Sequence, residues 1–194
     1  MKIYDISQEV FSCAVYPGDP RPQKQTLYDT DAGDLYNLSS FAMCAHNGTH
    51  IDAPFHFLPG GRTVEQMDLD HFVGACYVAR CQGDVTEDTA RQILEDARGA
   101  ERILIAGEAT VTAEAAEVFA GAGIKLLGNE GQSVGPEDAP MQVHLILLKQ
   151  NIALLEGIVL TEVPQGHYFL SAAPLNLGGC DGAPCRAYLI PAER

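Results

Sequence analysis

The chain has 194 residues, 46% of them hydrophobic and 20% charged, which suits one domain with a real core. The formal net charge of -14 argues against nucleic acid or an anionic membrane surface as partner, because both are bound through Lys/Arg excess. No stretch approaches the ~18 apolar residues of a membrane span, and no low-complexity tract points to disorder.

In chain order, Met1–Ile6 reads as a short strand. Phe11–Asp34 is rich in Pro, Gly and Asp and reads as a long loop. Leu38–Ala45 is apolar and strand-like and runs straight into His46. Ala75–Arg80 reads as a strand. Thr86–Arg98 reads as a helix, with Thr86 as its N-cap and Ala90, Ile93, Leu94 and Ala97 at helical spacing. Arg102–Ala106 is a buried strand, and Ala113–Ala120 a second helix closed by Gly121 and Gly123. Ile124–Gly128 is a strand and Ala139–Leu148 a third helix. Ile152–Leu155, Ile158–Glu162, Tyr168–Ala172 and Arg186–Ile190 read as late strands. This alternation implies a single α/β domain over residues 1–194, with a mixed sheet and flanking helices.

Six cysteines stand at 13, 44, 76, 81, 180 and 185, none in a C-x-x-C pair. Met1–Val10 carries Lys2, Asp5 and Glu9 and no apolar run of signal-peptide length. The cysteine spacing thus shows no structural zinc motif, and the lack of a signal-like run or membrane span points to the cytoplasm and reduced thiols, although an even cysteine count is also compatible with disulfides.

The chemistry concentrates in His46-Asn47-Gly48-Thr49-His50-Ile51-Asp52-Ala53-Pro54-Phe55-His56. Imidazole and carboxylate are ligands for zinc, manganese or iron. Gly48, β-branched Thr49 and Ile51, and then Pro54 disfavour a helix here. In extended backbone His50 and Asp52 point to one side, and Gly48 lets the chain fold so that His46 joins them. His56 can act as acid/base, as a further ligand, or behind the ligands. His144, in an apolar helix, reads by itself as a core residue, and Glu156, before a glycine turn, as an exposed acid. Serine catalysis lacks its G-x-S-x-G elbow.

The segment resembles the H-x-G-T-H-x-D-x-P-x-H signature of the cyclase family, which includes bacterial kynurenine formamidases and isatin hydrolases, and every fixed position is present. Pro17-Gly18-Asp19, His144 with Glu156, and Gly179-Cys180-Asp181-Gly182-Ala183-Pro184-Cys185-Arg186-Ala187 extend the resemblance over most of the chain. It implies a swivelling β/β/α fold and a site for two divalent ions (zinc, manganese or iron). His46, His50 and Asp52 would hold the first ion, Asp52 and Glu156 would bridge, and His144 would complete the second. His56 would be the general acid/base. The resemblance also implies a homodimer or higher oligomer, with Phe11–Asp34 as the candidate arm.

A divalent ion lowers the pKa of its water from about 15.7 toward 7, which is what amide hydrolysis at neutral pH requires. The leaving amine then needs a proton, and histidine titrates near neutrality. The leading expectation is therefore an arylformamidase that converts N-formyl-L-kynurenine to kynurenine and formate. Tyr16 stands where the formamidases usually carry a tryptophan against the substrate ring, and the chain has no tryptophan. That departure favours the alternative, a hydrolase of another cyclic or aryl amide or ester, isatin-like. A third reading is a non-catalytic metal- or ligand-binding protein on the same fold. Glu130 replaces a usual aspartate and could alter the site's wall or be a surface acid. Ser133 falls in a stretch the family uses near its site.

Overall fold

The computed structural model describes residues 1–136 and 139–192. In chain order the strands are β1 (Tyr4–Asp5), β2 (Gln23–Tyr28), β3 (Leu38–Ala42), β4 (His50–Asp52), β5 (Val73–Arg80) and β6 (Gly83–Val85). Helix α1 (Glu87–Ala97), β7 (Arg102–Ala106), β8 (Ala109–Val111), α2 (Ala113–Ala122), β9 (Leu126–Asn129) and α3 (Met141–Lys149) follow. The chain closes with β10 (Ala153–Glu156), β11 (Gly166–Ser171), β12 (Gly182–Pro184) and β13 (Tyr188–Pro191).

Nine strands form one sheet in the order β1-β13-β11-β5-β7-β9-β10-β4-β12. The central β5, β7, β9 and β10 are parallel and joined through α1, α2 and α3. Strands at both edges pair antiparallel. The expected mixed sheet with flanking helices is thus present. Its parallel centre follows from β-α-β connections, which return each strand in the same direction.

Strand alternation divides the interior into two cores. Ile103, Ile105, Leu127 and Leu154 pack against helix residues such as Ile93, Phe119 and Leu147. Leu104, Leu126, Leu155 and Ile51 face the other way, toward Ile6, Phe72, Leu170 and Leu189. Each fully buried Leu, Ile or Phe is worth roughly 1.5–3 kcal/mol relative to exposure. The helix ends obey local rules: the hydroxyl oxygens of Thr86 and Thr112 accept the Thr89 and Ala115 amides, and Gly123 closes α2 at φ +67°.

Four sequence expectations are corrected. Phe11–Asp34 is not only loop: it holds β2, paired with β3 in an exposed ribbon. Gln23–Tyr28 lacks the alternating apolar pattern that marks a half-buried strand, because neither of its faces is buried. The strand expected to reach His46 ends at Ala42, and turns fill the interval before β4. Ile158–Glu162 forms no strand; the Ile158 and Val159 amides donate to the Asn129 and Ile6 carbonyls, which belong to different segments, so no continuous ladder forms. Gly121 lies within α2, and Gly123 alone terminates it.

Candidate metal centre

The site is built around β4. Gly48 turns the chain at φ +67° immediately before the strand. A Cβ at Gly157 would stand 2.4 Å from the Gly48 carbonyl oxygen, so the two glycines permit a contact that no side chain allows. The Thr49 hydroxyl donates to the Gly157 carbonyl at 2.7 Å and locks this approach. The register then sets Glu156 opposite His50 and Leu154 opposite Asp52. Glu156, His50 and Asp52 therefore share the face that looks toward the helices, where α3 delivers His144. Glu156 ends β10, so the site stands at the carboxyl end of the parallel strands, where open α/β sheets place ligands.

His50, Asp52, His144 and Glu156 are all buried. The Nε2 of His50 lies 3.3 Å from Asp52 Oδ1 and 3.6 Å from Glu156 Oε2. The Nε2 of His144 lies 3.2 Å from Glu156 Oε1 and 3.5 Å from Asp52 Oδ2. His46 Nδ1 is 2.8 Å from Asp52 Oδ1. The Val134 amide donates to Glu156 Oε1 at 2.8 Å. The structure thus brings together all five expected ligands. Glu156 is therefore not an exposed acid, and His144, although buried as a core residue would be, sets its Nε2 against two carboxylates.

These residues fit divalent metal on their own chemistry. His50 Nδ1 is 3.0 Å from the Gly48 carbonyl oxygen, and His144 Nδ1 is 2.9 Å from that of Pro140. A carbonyl only accepts, so each Nδ1 carries a proton and donates it. The neutral rings then aim an Nε2 lone pair at carboxylate oxygens, which is favourable only with positive charge between them. Asp52 Oδ2 is buried and makes no hydrogen bond among the described residues. His50, Asp52 and Glu156 each offer a ligand atom, all within 4.8 Å of one another, and so do His46, Asp52 and His56.

Protons fill the role of the cation when no metal is bound. Burial disfavours charge on His46, but the Asp52 and Asp181 carboxylates outweigh it and push its pKa up to about 9. His144 is likewise opposed by burial and pushed up to about 10 by Asp52 and Glu156. His50 is raised against the same opposition from burial. Burial opposes ionisation of Asp52, yet the surrounding His144, His46 and His50 rings hold its carboxyl well below the usual range.

A cavity of about 250 Å³ opens on this cluster, lined by Tyr16, His46, His56, Phe57, Pro140 and His144 among others. Tyr16 is therefore at the site, as expected. His56 stacks on His46 with ring centroids 4.1 Å apart. Phe57, the first residue of the Phe57–Gly61 loop that the sequence offers as a cover for the site or a plain turn, packs on His144 with centroids 4.7 Å apart and supplies an apolar wall. Ser133 lines the same cavity and its buried Oγ has no hydrogen-bond partner among the described residues. Glu130 is not in this cavity wall: its carboxylate accepts the Gly107 and Leu160 amides, each at 2.7 Å. Asp181 was quoted in the C-terminal motif without a role, yet its Oδ2 lies 2.8 Å from His46 Nε2 and 3.3 Å from His56 Nδ1.

Fold and site together define a class: an α/β domain whose parallel strands end at a buried histidine–carboxylate cluster suited to divalent metal. The chain belongs to the cyclase family, whose model matches residues 4–136. It is 33% identical over 202 residues to a kynurenine formamidase of Erythrobacter litoralis, covering 97% of this chain and 93% of that protein. A solved structure described as a potential metal-dependent hydrolase with cyclase activity superposes with a TM-score of 0.83 at 28% identity, covering 100% of this chain and 99% of its own. Isatin hydrolase A from Labrenzia aggregata, at 21% identity, shares the fold with a TM-score of 0.84 over 99% of this chain and 94% of its own.

Proposed function

We propose that this chain is a metal-dependent amide hydrolase that cleaves an aryl formamide, N-formyl-L-kynurenine, to kynurenine and formate. The observation that carries the reading is the set of buried imidazole Nε2 atoms and carboxylate oxygens, Asp52 Oδ2 included, that converge beside a cavity holding a further histidine. The substrate rests on the relatives, which are kynurenine formamidases at 33–34% identity over nearly the whole chain.

His46, His50, Asp52, His144 and Glu156 would hold up to two divalent ions, with zinc, manganese and iron all suited to this donor set. Such ions would supply an activated water and polarise the formyl oxygen. The chain's own groups do the rest. Carbonyl bonds from Gly48 and Pro140 keep the His50 and His144 rings oriented. His56 lines the cavity and serves as the group that passes a proton to the leaving amine. Tyr16 and Phe57 offer aromatic surface to the aryl ring.

The reading is tested by hydrolysis of N-formyl-L-kynurenine in zinc- or manganese-loaded protein, with a chelated control. Metal-dependent turnover that falls about 10²–10⁴-fold in His56→Ala supports it. Failure of every metal-loaded sample on aryl formamides would reject the substrate. Tyr16 in place of tryptophan favours, as second reading, an isatin-like cyclic amide, and turnover of isatin alone would establish that instead. A non-catalytic binding role predicts turnover of neither.

No described helix is long and apolar enough to cross a membrane. All six cysteines are free, which supports a cytoplasmic setting. A homodimer or higher oligomer is part of the same proposal. The β2–β3 ribbon exposes Leu27, Tyr28, Leu35, Tyr36 and Phe41, and an isolated two-stranded ribbon is marginal in water. Light scattering at working concentration checks it, and a monomer would reject it.

A further inference from the structure

We propose that Asp181 is the positioning carboxylate of this site, fixing through one oxygen the ring orientation and tautomer of both His46 and His56. The inference rests on the hydrolase reading above for its kinetic arm only.

All four site histidines have one ring nitrogen tied to an acceptor. For His50 and His144 the acceptors are the peptide carbonyls of Gly48 and Pro140, through Nδ1. For His46 and His56 the acceptor is Asp181 Oδ2, at 2.8 Å from His46 Nε2 and 3.3 Å from His56 Nδ1. The consequence is a mixed set of tautomers. His50 and His144 present Nε2 to the carboxylates, whereas His46 presents Nδ1, which is the nitrogen 2.8 Å from Asp52 Oδ1. His56, with Nδ1 on Asp181, keeps Nε2 as its lone-pair nitrogen in a ring that lines the cavity. Carboxylates that accept from ligating or catalytic imidazoles fix tautomer and orientation in this way.

The backbone holds Asp181 in place from both sides. The Cys180 carbonyl accepts the Val64 amide and the Asp181 carbonyl accepts the Ala53 amide, both at 2.9 Å. Gly182 pairs with Asp52 across β12 and β4. A Cβ on Gly182 would stand 2.9 Å from His46 Cε1, so the glycine leaves room for that ring to reach Asp181. The Asp181 side chain is 43% exposed, so its replacement need not disturb the core.

The experiment compares zinc-loaded wild type, Asp181→Asn, Asp181→Ala, His56→Ala and the Asp181→Asn/His56→Ala double variant. Both Asp181 variants are expected to lower kcat about 10- to 100-fold with little change in KM. In the His56→Ala background Asp181→Asn should cost less kcat than it does in wild type, because the part of its effect that passes through His56 is already lost. Long-range ¹H–¹⁵N spectra of zinc-loaded, histidine-labelled wild type give a readout independent of turnover. They should show His46 bound through Nδ1, and His50 and His144 through Nε2, with the His46 signals shifted or split in labelled Asp181→Asn. Wild-type kcat in both Asp181 variants, full additivity in the double variant, or His46 bound through Nε2 would overturn the assignment. Absence of turnover in wild type would instead reject the hydrolase reading, and the spectra would still decide the role of Asp181.

Discussion

Loading the metal-free protein with zinc should expel protons, and the structure says how many. His46 stands at about 9 and His144 at about 10, each against an ordinary value of 6.5. At pH 7.5 a group with pKa 9 is about 97% protonated, whereas one at 6.5 is about 9% protonated. Metal must displace the protons that now separate these rings from Asp52 and Glu156, so about two or more protons leave per chain. Unperturbed histidines would release about 0.2 from the same pair. Calorimetric titration of zinc into metal-free protein, in buffers of different ionisation enthalpy, counts them directly. A release well below about one proton at pH 7.5 would refute the reasoning, because the rings would then be neutral before metal arrives. The sign carries over to stability. Raised histidines stabilise the metal-free fold below about pH 6.5, and that contribution disappears as pH rises through 9 to 10. The zinc-loaded protein should show the opposite trend and lose metal on acidification.

Other changes should separate the site from its supports. Glu130→Gln leaves the Gly107 or Leu160 amide facing an NH₂ group, at a cost of about 1–3 kcal/mol. Thermal melting should then fall by about 2–4 °C per kcal/mol with kcat at 25 °C unchanged, and a matching loss of kcat would place Glu130 in the catalytic wall after all. Gly182→Ala puts a Cβ 2.6 Å from the Ile51 carbonyl oxygen and 2.9 Å from His46 Cε1. Zinc affinity, measured against a chelating indicator, should drop about tenfold or more; unchanged affinity would mean the His46 ring needs no such clearance. Tyr16→Ala should raise KM for an aryl formamide about 2- to 10-fold and leave that for an aliphatic formamide unchanged. Equal effects on both would remove Tyr16 from ring recognition.

Features that depend on neighbouring residues are legible in the chain. The Thr86 cap and the helical spacing of Ala90, Ile93 and Ala97 placed α1, and the closing glycines placed α2, within a few residues. Two-residue alternation was enough to put His50 and Asp52 on one face, and Gly48 marked the turn that admits His46. Tertiary structure decided the rest. That Glu156 stands opposite His50 depends on which strand pairs with β4 and in what register, a choice made by contacts far apart in sequence. The burial of His144 and Glu156 comes from that pairing and from α3, so neither residue was more than a core histidine or an exposed acid when read alone. The same holds for Glu130, whose two amide donors lie 23 and 30 residues away. Asp181 was hidden for the most distant reason: its partners His46 and His56 lie 135 and 125 residues away, joined to it only when β12 docks on β4. Local backbone sterics leave a trace in local sequence, whereas the position of a carboxylate relative to a ring across a sheet edge is fixed only by the pairing of the strands.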